Sequence, residues 1–561
     1  MKRTGLVADL LLLHAPAYYD FRKEKHVYFP FMSTSGDVPI SPMYEFFPMG
    51  FKSLKEYISQ RGHNIQIFNL CSYMLLNKDA DIEKLIENIH AKIVGIDLHW
   101  LVHVQGALAV AECIKKKNRD IKILFGGISS SYYAAELIQY DFIDFVMRGY
   151  DTHKPMLALV EEVKGAGKYE MIPNLFWKKD GSIIENPMDY MPENMNEGIT
   201  WKDVPEDDST LLPMHDIIST TNAGCRNNCG WCGGSNSAFR RIYHEKNSPV
   251  FKSEEALTRE FDSLKYIHDT GKFNFYSCGN YNLSDRELQS YLGKMERHHF
   301  KSINYEEYWL PSPERIKRMV DICPNTIVTL SPESSNRRIS KLAGRGNYSM
   351  EEMERFIDYA LEMGIHEIDI WFFIGMPEQD ESAVKNDIKY CEHLLRKYKG
   401  HLVVPLICPM MPFLDPASNF FENPDKYGYK IFYRTLQQHR EGMNHASIIN
   451  RLNYETKWLS REQIVQCGYE SIKALFMLKA EYGAIPSSIV TSLVKKLDDT
   501  IDFVKVVHKI DCIENAEDQE KELCMIEDEI FAKNQEVLFG GVLNQAFPVA
   551  RKHGQRWFDY V

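Results

Sequence analysis

With 561 residues, 44% apolar and 26% charged, the chain is too long for one hydrophobic core and has the composition of an ordinary globular protein of several domains. A net charge of −12 and the shortness of every lysine or arginine run exclude a nucleic-acid footprint, and no apolar run approaches the ~20 residues of a membrane span. The Leu10–Leu13 segment lacks the flanks of a signal peptide, and 12 cysteines are spread too thinly for a disulfide framework, so a cytoplasmic protein with reduced thiols is expected.

Five strand and helix units open the chain. Leu6–His14, Asn64–Leu70, Ile93–Leu98, Ile121–Phe125 and Phe142–Met147 read as strands. Phe51–Arg61, Ile82–His90, Val104–Lys117, Tyr133–Gln139 and Pro155–Glu162 read as helices. The alternation predicts an α/β fold with a doubly wound, Rossmann-like (flavodoxin-like) parallel sheet, whose ligands lie beyond the carboxyl ends of the strands. At those ends stand His14-Ala15-Pro16, Asp97-Leu98-His99-Trp100, Gly126-Gly127 with Ser129 just beyond, and Gly149-Tyr150. The glycines let a bulky ligand approach the backbone.

Residues 172–186 read as a hairpin turning at Lys179-Asp180-Gly181, and residues 187–213, rich in Pro, Asp and Glu, as a linker. Six further strands follow: His215–Thr221, Phe273–Ser277, Ser302–Tyr308, Thr326–Leu330, Glu367–Ile374 and Leu402–Ile407, with helical patterns between them. From about Glu422 onward the pattern is mainly helical, through 458–482, 487–507 and 513–536. The expected division is 1–168, a hairpin and linker at 169–212, then 213–421 and 422–561.

The first strand of the second unit runs into TTNAGCRNNCGWCGGS, residues 220–235. It places Cys225, Cys229 and Cys232 at C-x3-C-x2-C spacing, with Trp231 before the last cysteine and Gly224, Gly230, Gly233 and Gly234 interleaved. Three thiolates on one short loop point to a metal site. A loop that supplies only three leaves one iron of a four-iron cluster open to an outside ligand. A structural zinc knuckle needs four protein ligands, and the next His and Cys, His244 and Cys278, do not follow at zinc spacing. The glycines allow close wrapping of a cluster, and the Trp231 indole can shield one face from water.

This spacing and its flanks resemble the cluster loop of the radical S-adenosylmethionine (SAM) superfamily. The resemblance implies a 4Fe-4S cluster whose open iron is chelated by the amino and carboxylate groups of SAM, with reductive cleavage to a 5′-deoxyadenosyl radical. It also implies a partial (β/α)6 TIM-like barrel with its chemistry at the carboxyl ends of the strands. The second strand ends Ser277-Cys278-Gly279-Asn280 where many members carry Gly-Gly-Glu, so Ser277, Gly279, Asn280 or backbone carbonyls stand in for that contact to the SAM amino group. Glu307 ends the third strand. Ser331, Glu333 and Ser334 end the fourth, with Arg338 or Arg345 available for the SAM carboxylate; capping of the next helix is the other role open to Glu333. Gly375, in Gly375-Met376-Pro377-Glu378, matches the turn near the adenine. Cys278 and Cys408, at the ends of the second and sixth strands, are candidates for a catalytic thiol or substrate ligand, or are small buried apolar side chains. The stretch 408–413 reads as an apolar pocket wall, and the tail 556–560 as a possible cover for it.

Residues 5–165 resemble the cobalamin-binding domain that precedes the SAM domain in one branch of that superfamily, through Pro16 in the first loop, Pro48-Met49-Gly50 at a helix entry, Gly126-Gly127 and Gly149. The implied cobalamin contacts are Pro16, Asp97, Leu98, His99, Trp100, Gly126, Gly127, Ser129, Gly149 and Tyr150. Asp97-x-His99 resembles the Asp-x-His-x-x-Gly motif that supplies the lower cobalt ligand in mutases and methionine synthase, but Val102 replaces its glycine and the motif follows the wrong strand. His99 is thus either a cobalt ligand or a histidine satisfied by its neighbours.

The resemblance implies a cobalamin-dependent radical SAM enzyme, with methylation of an unactivated carbon of a small-molecule or natural-product substrate as its expected reaction. Cyclisation or rearrangement without methyl transfer is the alternative, and a cluster-binding sensing or storage protein the non-enzymatic one. A small-molecule substrate and an external low-potential electron donor of flavodoxin or ferredoxin type are the expected partners, with no nucleic acid and no membrane span.

Overall fold

The computed structural model describes residues 6–31, 49–202, 216–244, 248–409 and 414–539. The first sheet comprises β1 (Leu6–His14), β2 (Ile65–Asn69), β3 (Ile89–Asp97), β4 (Lys122–Gly126), β5 (Phe145–Met147), β6 (Leu175–Lys179) and β7 (Ser182–Glu185), in the order β2-β1-β3-β4-β5-β6-β7. The first five strands are parallel. Chain order reverses between β1 and β3, which opens a ligand crevice at their carboxyl ends. Residues Leu10 to Leu13 in β1 are apolar without alternation because helices cover both faces. Leu11 and Leu13 pack into one core, Leu10 and Leu12 into the other.

Three details depart from the sequence reading. The expected hairpin forms, with Asp180 and Gly181 both at positive φ in its two-residue turn, but it pairs antiparallel with β5 and so completes the first sheet. The helix expected over 133–139 is two short ones, Ile128–Tyr132 and Ala134–Leu137. A helix not anticipated, Leu70–Leu76, starts where the Asn69 side chain accepts the Ser72 amide at 2.9 Å and ends β2.

The second sheet is an open, all-parallel half-barrel. Its strands are β8 (Asp216–Thr220), β9 (Asn274–Cys278), β10 (Ser302–Glu307), β11 (Thr326–Glu333), β12 (Glu367–Ile374) and β13 (Leu402–Pro409), paired in chain order. The helix Arg461–Glu481 packs against β13 and the helix Glu381–Lys397, covering that edge. Pro48, residues 203–213, 410–413 and 556–560 lie outside the described residues. Among the described residues no helix is long and apolar enough to cross a membrane.

The carboxyl edges of the two sheets meet. The helix Ile128–Tyr132, which follows β4, and Tyr150, which follows β5, pack on the helix Asn236–Tyr243 that follows the cysteine loop. The Tyr150 ring lies 5.2 Å from Phe239 and 5.5 Å from Tyr243, and Tyr132 donates from its hydroxyl to Glu422 at 2.7 Å.

Two helical glycines separate packing from propensity. In the helix Val104–Lys117, a Cβ on Gly106 would stand 2.0 Å from the Pro16 carbonyl oxygen, because the loop after β1 crosses the helix there. In the helix Asp285–Met295, a Cβ on Gly293 would meet nothing within 4 Å. Gly106→Ala should destabilise by ~1–3 kcal/mol through overpacking. Gly293→Ala should stabilise by ~0.5–1 kcal/mol. Thermal unfolding of the two variants should shift in opposite directions.

Candidate cofactor sites

The cysteine loop leaves β8 and closes on the helix Asn236–Tyr243, whose start is capped by the Ser235 hydroxyl accepting the Ala238 amide at 3.3 Å. Cys225 and Cys229 are buried and Cys232 half-buried. The amides of Asn227 and Gly234 each donate to a cysteine sulfur, Cys225 and Cys232 respectively, at 3.3 Å. Such bonds favour the thiolate and tune a cluster. The loop is fixed from two sides: the Gly230 amide donates to the Ala343 carbonyl and the Gly230 carbonyl accepts from the Phe420 amide, both at 2.8 Å. A Cβ on Gly230 would stand 2.1 Å from the Phe420 ring, so only glycine permits this approach.

The donor set fits an iron–sulfur cluster. Burial pushes the Cys229 thiol up to about 11 against the pull of Arg345, and burial with Cys229 and Asp415 nearby pushes Cys232 well above its ordinary value. Bare thiolates are therefore disfavoured, and positive metal charge is what this loop needs to hold them.

Strand alternation sorts the residues at the barrel's carboxyl end. Thr329 donates to Asn304 or Asp369, each 3.2 Å from its hydroxyl, so Asn304, Thr329 and Asp369 form a row across β10, β11 and β12 on the inner face. Phe275 and Tyr305 point the other way, into the helical layer with Phe300 and Met295. Period two then puts Cys278 and Glu306 on the inner side and Ser277 and Glu307 on the helix side. This corrects the assignment of Ser277, Asn280 and Glu307 to SAM. Ser277 shares its hydroxyl between Asn280 (3.1 Å) and Tyr291 (3.2 Å), and the Asn280 amide donates to Glu307 at 2.9 Å. Arg315 pairs with the same Glu307 carboxylate, which closes a buried network that braces the strand ends. Gly279, at φ 87°, carries the chain across Asn222 and Thr221.

Glu333 occupies the bulge that ends β11, at φ 69° and 0% exposure. Arg345 donates from Nε to its Oε1 at 2.9 Å, and the guanidinium lies 3.5 Å from the centroid of the Tyr308 ring. Burial pushes the Glu333 carboxyl up to about 7 against the pull of Arg345. Oε2 of Glu333 and Nη1 of Arg345 are buried with no protein partner, an acceptor and a donor that a polar ligand would satisfy. Arg338 is the arginine this geometry excludes: it is exposed and forks onto Glu378 at the surface. Ser334 is likewise turned away, donating to Asp387 at 3.1 Å, while Ser331 is half-buried on the inner side. Gly375, at φ 91°, accepts from the Tyr429 hydroxyl at 2.7 Å. Trp231 packs on Phe373 (5.6 Å), which stacks on Trp371 (6.5 Å), forming an aromatic wall along the inner face. Cys408 pairs in register with Phe373, and its side chain lies outside the described residues.

At the first sheet, Gly127 lets the turn after β4 touch the end of β3: at φ 113°, its Cβ would stand 2.9 Å from the Leu98 carbonyl oxygen. Gly126 has open space, with nothing nearer than 3.9 Å to a Cβ. Ser129 donates to the His99 carbonyl at 3.0 Å, and the Gly149 amide donates to Ser131 at 3.2 Å. Trp100 is 46% exposed and sits edge-on to the exposed His99 ring, 5.1 Å away. An uncovered indole beside a glycine turn at the carboxyl edge fits a large planar ligand. Asp97 is engaged by His14, whose Nδ1 lies 3.0 Å from both carboxylate oxygens; burial would raise the Asp97 carboxyl, but His14 outweighs it and holds it below its ordinary value. His103 reaches the Ala15 carbonyl at 3.0 Å, with Pro16 next in that loop. The sequence reading placed His14 at a strand end but missed its pairing with Asp97, and it missed His103 altogether, because each contact joins residues more than 80 positions apart.

Gly230→Ala should lose most of its bound iron while far-UV circular dichroism stays near wild type. Burial pushes the Glu307 carboxyl up to about 7 from 4.5, against Arg315. The folded state then binds this proton more tightly than the unfolded one, so the stability it contributes is full at low pH and is lost as pH rises through about 7. Glu307→Gln should flatten the pH dependence of the thermal midpoint across that window.

Residues 38–158 match the B12 binding domain family and residues 219–391 the radical SAM superfamily. No curated protein sequence matches the chain. Among solved structures, the radical SAM methyltransferase TsrM from Kitasatospora setae, with cobalamin and a 4Fe-4S cluster bound, superposes with a TM-score of 0.58 at 12% identity, over 94% of this chain and 99% of that one. TsrM with tryptophan substrate and a SAM analogue bound gives 0.58 at 12% identity, over 86% of this chain and 89% of that one. The cobalamin-dependent SAM radical enzyme OxsB, with aqua-cobalamin bound, gives 0.52 at 12% identity, over 98% of this chain and 82% of that one. The chain thus carries a B12-binding domain followed by a radical SAM domain, the domain order of a cobalamin-dependent radical SAM enzyme, and the two domains imply a 4Fe-4S cluster, SAM and cobalamin as its cofactors.

Proposed function

We propose that this enzyme methylates an unactivated carbon of a small-molecule substrate held between its two sheets. The observation that carries the reading is the packing of the helix after Gly126-Gly127 on the helix after the cluster cysteines, which brings the carboxyl edges of both sheets to one interface. The cluster with SAM supplies a hydrogen-abstracting carbon radical, and cobalamin supplies a methyl group. TsrM, which shares this fold, is a methyltransferase whose substrate is tryptophan.

The chain's own residues bind, orient and exclude. Cys225, Cys229 and Cys232 hold the cluster. Arg345 and Glu333 present a donor and an acceptor to the polar end of SAM, and Gly375 lets its turn lie flat beside the adenine. Trp231, Phe373 and Trp371 give the substrate a dry aromatic wall, with Cys278 and Glu306 on the same inner side. Pro16, Leu98, His99, Trp100, Gly126, Gly127, Ser129, Gly149 and Tyr150 line or support the corrin edge. Asp97 is already committed to His14, which leaves His99 without the carboxylate that would orient it as a cobalt ligand. Electrons come from an external low-potential donor of flavodoxin or ferredoxin type.

Anaerobically loaded enzyme given SAM, a reductant and candidate aromatic small molecules should form product one methylene unit heavier than substrate, together with deoxyadenosine. Deoxyadenosine with a product of unchanged mass would favour cyclisation or rearrangement instead. Arg345→Ala should weaken SAM binding at least tenfold, by calorimetry, while retaining its iron.

A further inference from the structure

We propose that His26, Cys524 and Glu527 form a second metal site, for a zinc ion that ties the C-terminal helix to the first domain. These residues lie outside both cofactor sites. His26 belongs to the segment that follows β1, and Cys524 and Glu527 to the helix Ala516–Phe539. One ligand atom from each lies within 4.8 Å of the other two. Zinc bonds of 2.0–2.3 Å place tetrahedral ligands ~3.2–3.8 Å apart, so closure needs only side-chain rotation. Glu520 stands ready as a fourth ligand: its Oε1 is 3.9 Å from Cys524 Sγ and 3.9 Å from His26 Nδ1. Positions 520, 524 and 527 are spaced i, i+4, i+7 and share one face of the helix.

The two halves of the site are held together without metal. Asn534, 0% exposed, accepts the Phe29 amide at 2.8 Å and donates to the Val27 carbonyl at 2.9 Å. Glu24 accepts the amides of His26 (2.7 Å) and Val27 (2.9 Å), fixing the backbone that carries the imidazole. The Nε2 of His26 lies 3.6 Å from Glu527 Oε2, while Lys25 takes the other carboxylate oxygen at 3.0 Å and Asp528 at 3.2 Å. A thiolate, an imidazole and one or two carboxylates suit zinc over magnesium or calcium, which prefer all-oxygen shells. Binding releases the Cys524 thiol proton to solvent and forms the zinc–sulfur bond.

The test uses full-length protein with its cluster loaded, freed of adventitious metal and titrated anaerobically with zinc against a chromophoric chelator. One tight zinc per chain is expected, with affinity falling at least tenfold in Cys524→Ser and in His26→Gln. Cys512→Ser, an exposed cysteine 3.7 Å from His508, serves as the control and should bind as wild type. Iron content and cluster absorbance should be the same in all variants, which separates this site from the loop cysteines. Absence of stoichiometric zinc, or equal zinc affinity in Cys524→Ser and wild type, would overturn the proposal.

Discussion

The structure depends on how closely one glycine is gripped. Gly230 sits between the Ala343 carbonyl and the Phe420 amide, so the cysteine loop is fixed both by the end of the helix Arg337–Leu342 and by the segment that follows the barrel. Each contact is an ordinary backbone hydrogen bond, worth ~0.5–1.5 kcal/mol net. Their combined effect is positional: three sulfurs are held at the mouth of the half-barrel by chain that lies more than 100 residues downstream. The same segment reaches the first domain, through Tyr132 on Glu422 and through Leu436 on Glu136, so cluster and corrin edges share a common brace.

Around that loop the barrel buries acids and offsets them with very little positive charge. Glu306, Glu333 and Asp415 all have carboxyls raised by burial, and Arg345 is the cation that opposes this for the first two. Such a site is costly for a protein to keep unless its charges have a use. The open acceptor on Glu333 and open donor on Arg345 match a ligand that is itself zwitterionic at one end, which is the character of the SAM methionyl group. Burial of the thiols follows the same logic, since a buried thiolate is tolerable when metal charge sits against it.

The sequence made the architecture legible because its two signals are strong. Alternating strands and helices named both parallel sheets, and the helix Val104–Lys117 has the bounds its periodicity implies. The cysteine spacing named the cluster loop. What it could not resolve was side-chain direction at strand ends: Glu306 and Glu307 are neighbours in sequence, yet opposite faces of β10 separate them, and a one-residue error of phase exchanges an inward-facing carboxylate for one that faces the helices. Arg338 and Arg345 both stood open as partners for a carboxylate in the sequence, and only the turn of the helix Arg337–Leu342 distinguishes a surface ion pair from a buried one. Pairings such as Asp97 with His14 join separate strands, and no local pattern announces them.

The account rests on the two sheets presenting their carboxyl edges to one shared space. Electron paramagnetic resonance of the protein loaded with Co(II) cobalamin and a reduced cluster tests this directly. Dipolar broadening of each signal, absent when either cofactor is omitted, is the result the account predicts. Two signals that superpose on those of the singly loaded proteins would contradict it.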